Sequence, residues 1–143
     1  MNDMLRQERE VQAPAGAWDG MNKTPNAIMV TLPWPNKVLS PNSRAHWAVR
    51  SNAVGKARHN AFCLVLEQIG RREVEWPRPH LSWEFCPPSR RRYDVDNLIA
   101  QHKAAQDGIA DALGIDDSRF VSTYQLGSPV KGGAVHVTIR KAA

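Results

Sequence analysis

Apolar and polar positions along the chain follow two periods, and together they predict the order β-α-β-α-β-β. Ala27-Ile28-Met29-Val30-Thr31-Leu32 is apolar and partly β-branched and stops at Pro33-Trp34-Pro35, which predicts a strand. Asn36 to Ser43, holding Pro41 and Asn42, reads as a loop. From Ala45 to Ile69, Ala57, Ala61, Leu64, Val65 and Gln68 recur at steps of three and four and Gly70 closes the run, which predicts a helix. Leu81, Trp83 and Phe85 then alternate with polar neighbours in His80–Cys86, a half-buried strand ended by Pro87-Pro88. A second helix is expected over 97–113, broken at Gly114. Phe120–Leu126 and Ala134–Arg140 read as two more strands, with Gly127, Pro129, Gly132 and Gly133 making a hairpin connection. The expected fold class is α+β, a small mixed sheet covered on one face by two helices. Residues 1–26 show no sustained period and hold Pro14, Gly16 and Gly20, so they read as a flexible tail before a domain of residues 27–143.

Composition narrows the class. A length of 143 residues suits one domain, and 42% hydrophobic residues exclude a wholly disordered chain. No stretch approaches ~18 uninterrupted apolar residues, so no membrane span is expected. The N-terminus MNDMLRQEREVQ has acidic residues and no apolar core, unlike a secretory signal. With Cys63 and Cys86 far apart, the expectation is a cytoplasmic protein with reduced thiols.

Charge is unevenly distributed. Residues 27–143 carry sixteen Lys and Arg against ten Asp and Glu, and a basic body suggests a polyanionic partner. Six of the eight aspartates nevertheless fall between 94 and 117, directly after Arg90, Arg91 and Arg92. Carboxylates beside a phosphate-binding patch repel its ligand unless a divalent cation bridges the two.

On the second helix, with Asp96 at zero, Lys103 falls at about −20°, Asp107 at about +20° and Asp111 at about +60°. Leu98, Ile99, His102, Ala105, Ile109, Ala112 and Leu113 share the opposite arc, which is the expected core stripe. Asp94 and Asp96 point the same way if Tyr93–Asp96 is extended, so both can reach one ion. The plainer reading of Asp96 or Asn97 is a helix cap, and the helix N-terminus beside them can also attract a phosphate. From the residues alone, Lys103 reads as a solvated partner of Asp107 one turn on. A calcium loop fails on spacing, because Leu98 and Ile99 stand where ligands are needed. His59 and Cys63 lack two further zinc ligands and read as a partly buried histidine beside a core cysteine. Trp34 and Trp47 could stack on unpaired bases, although core packing is the expectation for both.

Tyr93-Asp94-Val95-Asp96-Asn97-Leu98, Lys103, Asp107 and Asp116-Asp117-Ser118 together resemble the signature of the RusA-type Holliday-junction resolvases. The resemblance extends to Thr31-Leu32-Pro33-Trp34-Pro35, Pro41-Asn42-Ser43, the arginine run and Lys131-Gly132-Gly133, and so covers residues 27–141. It implies a homodimeric, magnesium-dependent endonuclease that cuts four-way DNA junctions symmetrically, with manganese as a possible substitute. It also implies that Asp94, Asp96 and Asp117 are the metal-site aspartates, with Lys103 the catalytic lysine. Arg90, Arg91, Arg92 and Lys131 would then contact DNA, chiefly its phosphates. Between Asp116 and Asp117 the residues themselves leave the choice open. The alternative is a nucleic-acid-binding protein of the same fold that does not cut.

Overall fold

Strict alternation of buried and exposed residues shapes the sheet in a computed structural model that describes residues 26–142 other than 71 and 73. The arm expected over 1–26 lies outside the described residues, Asn26 apart. Strands β1 (Ala27–Pro33), β2 (Pro79–Cys86), β3 (Val121–Leu126) and β4 (Ala134–Lys141) form one mixed sheet in the order β1-β4-β2-β3. β4 runs antiparallel to both neighbours, and β2 runs parallel to β3. Cross-strand register aligns Ile28, Ile139 and Leu81 in one row, Val30, Val137 and Trp83 in the next, and Leu32, Val135 and Phe85 in a third. All nine are buried on the face that receives the helices. Each fully buried side chain of this kind contributes about 1.5–3 kcal/mol through lost apolar hydration.

The α+β class and the single covered face stand as the sequence predicts, but two connections differ. β3 and β4 are not a hairpin, because β2 lies between them. Burial explains the order: Val135, Val137 and Ile139 are fully buried and suit a central strand, whereas the half-exposed pattern of β3 suits an edge. Among the described residues three α-helices stand in place of two: α1 (Trp47–Ile69), α2 (Val95–Gln101) and α3 (Lys103–Leu113). Helices α2 and α3 form the crossover that the parallel β2–β3 pair requires.

The break between α2 and α3 has a side-chain cause. His102 Nδ1 lies 2.6 Å from the Leu98 carbonyl oxygen, the acceptor its own backbone N–H would use in an unbroken α-helix. That N–H turns to the Ile99 carbonyl at 3.1 Å, and His102 takes φ −101°, ψ 8°. The imidazole is buried against Trp83 and Phe85, with ring centroids 5.6 and 5.0 Å away. A carbonyl only accepts, so Nδ1 carries the proton and Nε2, buried without a partner, keeps a lone pair. Burial pushes the His102 pKa below its ordinary 6.5.

Helix α1 buries Ala53, Ala61, Val65 and Ile69, and its remaining residues correct several expectations. Gln68, expected within the apolar stripe, is exposed. His59 and Cys63 are exposed too, paired Nε2 to Sγ at 3.4 Å, because they sit two positions off the buried series. Trp47 opens the helix 75% exposed and is not a core residue. Helices α1 and α3 meet at Gly108, where a Cβ would overlap the Arg58 carbonyl oxygen and stand 3.1 Å from the Ala61 Cβ. Beside this contact the Arg58 guanidinium donates two bonds to Asp111, at 2.6 and 2.9 Å.

Two outcomes follow from this packing. Gly108→Val is expected to destabilise the fold by about 1–3 kcal/mol or more, since backbone rather than a flexible side chain blocks the added atoms; an unchanged urea midpoint would show that the helices separate freely. Because the folded-state pKa of His102 is depressed, the unfolded chain binds the extra proton first as pH falls below 6.5. Stability is therefore complete above that pH and declines on acidification toward the lowered value. In thermal unfolding from pH 8 to 5, His102→Gln should show a shallower acid-side loss than the wild type.

Candidate functional site

The site begins where β2 ends. Residues 87–94 leave the sheet as a loop carrying Arg90, Arg91 and Arg92, all exposed. Tyr93 fixes the last part of this loop. Its ring meets Trp34 edge-on at 5.5 Å, the Arg91 guanidinium lies 4.7 Å from its centroid, and its hydroxyl pairs with Ser89 Oγ at 3.0 Å. The Ser89 bond, followed by Arg91, lowers the Tyr93 pKa from its usual value. Trp34 in turn rests on Gly133, where a Cβ would stand 2.8 Å from the Trp34 Cβ; the positive φ of Gly133, 72°, gives a second reason for glycine. At the base of the loop, the Val130 N–H donates to the Pro87 carbonyl at 2.9 Å. The arginine loop and the turn that carries exposed Lys131 are thus joined at their roots.

Asp94 caps α2. Its Oδ1 accepts the Asp96 N–H at 3.0 Å, and its backbone is extended at φ −87°, ψ 114°. Asp94 rather than Asp96 or Asn97 is therefore the cap. Asp96 lies in the first helical turn, so the strand-like alternation expected for Asp94 and Asp96 does not hold. Helix α2 has seven residues, and the Asp94 carboxylate already occupies one of its first free N–H groups, that of Asp96.

Lys103 opens α3, and its ammonium donates to Asp107 Oδ1 at 3.0 Å and to Asp117 Oδ2. Helix α3 is eleven residues long, and Gly114 (φ 68°, ψ 29°) reverses the chain in a left-handed cap. Asp117 then returns toward the start of α3. The two carboxylates, Asp117 first, raise the Lys103 pKa. Asp116 is engaged by the backbone instead. Its Oδ1 accepts the Ser118 N–H at 2.8 Å, a bond that lowers its pKa and caps the 3-10 turn Asp117–Arg119. Asp111, expected in a row with Asp107, is turned to Arg58 on the other helix.

The structure therefore joins Lys103, Asp107 and Asp117, and places Asp94 and Asp96 at the start of the adjoining helix. Asp94, Asp96 and Asp117 do not bring their ligand oxygens within 4.8 Å of one another; among the described residues the group that does so is Glu84, Cys86 and His136. Sequence reading missed that group, because Glu84 and His136 meet only through the β2–β4 register. It also missed a cavity of about 360 Å³ bounded by Trp34, Leu39, Lys56, Asn60, Gln101 and His102, which none of the aspartates lines.

These features define a small α+β domain whose crossover between parallel strands carries, in turn, an arginine loop, two helices and a lysine-bridged carboxylate pair. The chain belongs to the same family as an uncharacterized protein of Xylella fastidiosa (strain Temecula1 / ATCC 700964), with which it is 46% identical over 114 residues, 77% of this chain and 74% of that one. No protein-family model matches the chain. No described helix is long and apolar enough to cross a membrane.

The cap separates two roles for Asp94. Asp94→Ala is expected to cost about 1 kcal/mol in chemical denaturation, while Asp94→Asn, which keeps a side-chain oxygen on the Asp96 N–H, should unfold close to the wild type. Equal losses in both variants would show that charge rather than capping sets its contribution.

Proposed function

We propose that this protein is a metal-dependent endodeoxyribonuclease that resolves four-way DNA junctions by paired, symmetric phosphodiester cleavage in the cytoplasm. The observation that carries this reading is Lys103 bonded to Asp117 across the length of α3, at the junction with the short helix that Asp94 and Asp96 begin. Carboxylates drawn from separate segments and held by a lysine, next to an arginine loop, suit a phosphodiester and a cation together.

By ligand type the donor set suits magnesium, with manganese as a substitute, because Asp94, Asp96 and Asp117 offer only oxygen; their oxygens do not meet within 4.8 Å of one another, so an ion would have to draw them together. When bound, such an ion neutralises phosphodiester charge and lowers the pKa of a bound water. Lys103 would stabilise negative charge gathering on the phosphoryl oxygens, and its raised pKa keeps it cationic at neutral pH. Arg90, Arg91, Arg92 and Lys131 would seat the DNA backbone, since phosphate contacts dominate such interfaces. A junction carries two symmetry-related strands to cut, so a two-fold homodimer supplies one site to each. A second reading, a junction-binding protein that does not cut, draws support from the open arrangement of the three aspartates.

A labelled four-way junction, incubated with the full chain with and without magnesium or manganese, tests both. Cleavage only with metal is expected, and Asp94→Asn, Asp96→Asn and Asp117→Asn should each slow it by about 10²-fold or more while retarding the junction in a gel as the wild type does. Near-wild-type cutting by any of the three would overturn the site. Salt-sensitive binding without nicking under either metal would establish the second reading.

A further inference from the structure

We propose that Glu84, Cys86 and His136 form a transition-metal site, suited to zinc, at the end of β2 from which the arginine loop departs. One potential ligand atom from each lies within 4.8 Å of the other two. The register produces this convergence. Glu84 and Cys86 lie two positions apart on one strand, and His136 is the direct cross-strand partner of Glu84 on β4. Cys86 Sγ already stands 3.3 Å from Glu84 Oε1. Ligands of a tetrahedral zinc are separated by roughly 3.3–3.7 Å at ordinary bond lengths.

The surroundings hold each donor in place. Gln125 Nε2 donates to Glu84 Oε2 at 3.1 Å, which leaves Oε1 toward the thiol. His136 Nδ1 lies 3.0 Å from Thr31 Oγ1; with Nδ1–H donating there, Nε2 is the lone pair free for a metal. Gly127 lies against the pair, where a Cβ would stand 2.8 Å from Cys86 Sγ and 2.9 Å from Glu84 Cγ, and its N–H donates to the Phe85 carbonyl at 2.8 Å. A metal takes Cys86 as the thiolate, so binding would release the thiol proton. Glu84 and His136 also border an open groove of about 550 Å³ on the helix-free face of the sheet, which leaves a fourth position to water. A mixed sulfur, nitrogen and oxygen set selects zinc or cobalt over magnesium, so this site differs in kind from the aspartate cluster. Bound metal would tie the ends of β2 and β4 together at the root of the loop that carries Arg90, Arg91 and Arg92.

The test is a cobalt titration of the full chain after chelator treatment, followed by displacement with zinc. The expected result is one cobalt per chain with a thiolate-to-metal charge-transfer band and tetrahedral visible bands. Zinc should displace the cobalt, and the unfolding temperature should rise as zinc is added. Cys63→Ser should keep the spectrum and Cys86→Ser should lose it. Because Cys86 is buried, Glu84→Gln and His136→Ala, with folds checked by circular dichroism, probe the same site and should weaken cobalt binding by at least about tenfold. Absence of the charge-transfer band at saturating cobalt would overturn the proposal. So would a band that persists in Cys86→Ser and disappears in Cys63→Ser, which would place the metal at the exposed His59–Cys63 pair. None of these readouts depends on DNA cleavage, so this site and the nuclease reading fail separately.

Discussion

One hydrogen bond decides how the crossover is built: His102 Nδ1–H to the carbonyl of Leu98. By taking the acceptor its own backbone needs, the imidazole stops one helix and lets another start at the next residue. The cost is a buried ring nitrogen with no partner, which is expensive in an apolar setting. Trp83 and Phe85 pack the ring in place, so three core residues, none of them charged, determine where Lys103 begins its helix.

Much of this was legible in the sequence, and the rest had a physical reason for being hidden. The strands were marked by period-two runs such as Leu81, Trp83 and Phe85, whose spacing directly encodes a buried face. Strand order was not encoded locally. Glycines after Leu126 suggested a hairpin, yet the burial of Val135, Val137 and Ile139 draws β4 into the middle of the sheet. The helix break was invisible because His102 fits the apolar stripe of a continuous helix, and only its choice of acceptor interrupts it. Lys103 and Asp107 were legible as a one-turn pair, whereas Asp117 depended on the reversal at Gly114. Glu84 and His136 lie far apart along the chain, so only the register could reveal them.

Charge on the molecule is sorted by geometry rather than dispersed. Arg58 and Asp111 pair between α1 and α3 beside the Gly108 contact, where the backbones approach closely. Lys103 takes Asp107 and Asp117, and Asp116 and Asp94 are both committed to backbone N–H groups. Among the described residues Asp96 has no such partner, and of the arginines in the preceding loop Arg91 lies over Tyr93. Most of the acidic cluster is thus neutralised or held by local partners of its own.

The exposure of the Lys103 cluster bears on why it is built at all. The lysine side chain is 60% exposed, and solvent-screened ion pairs of this kind contribute little to folding. Core packing of the sheet against α1 and α3 stabilises the domain without them. Holding a long lysine side chain and two carboxylates from three positions in one arrangement costs rotamer entropy that such weak pairing barely offsets. A fold selected for stability alone has no use for that convergence, nor for a helix interrupted at the expense of an unsatisfied buried nitrogen.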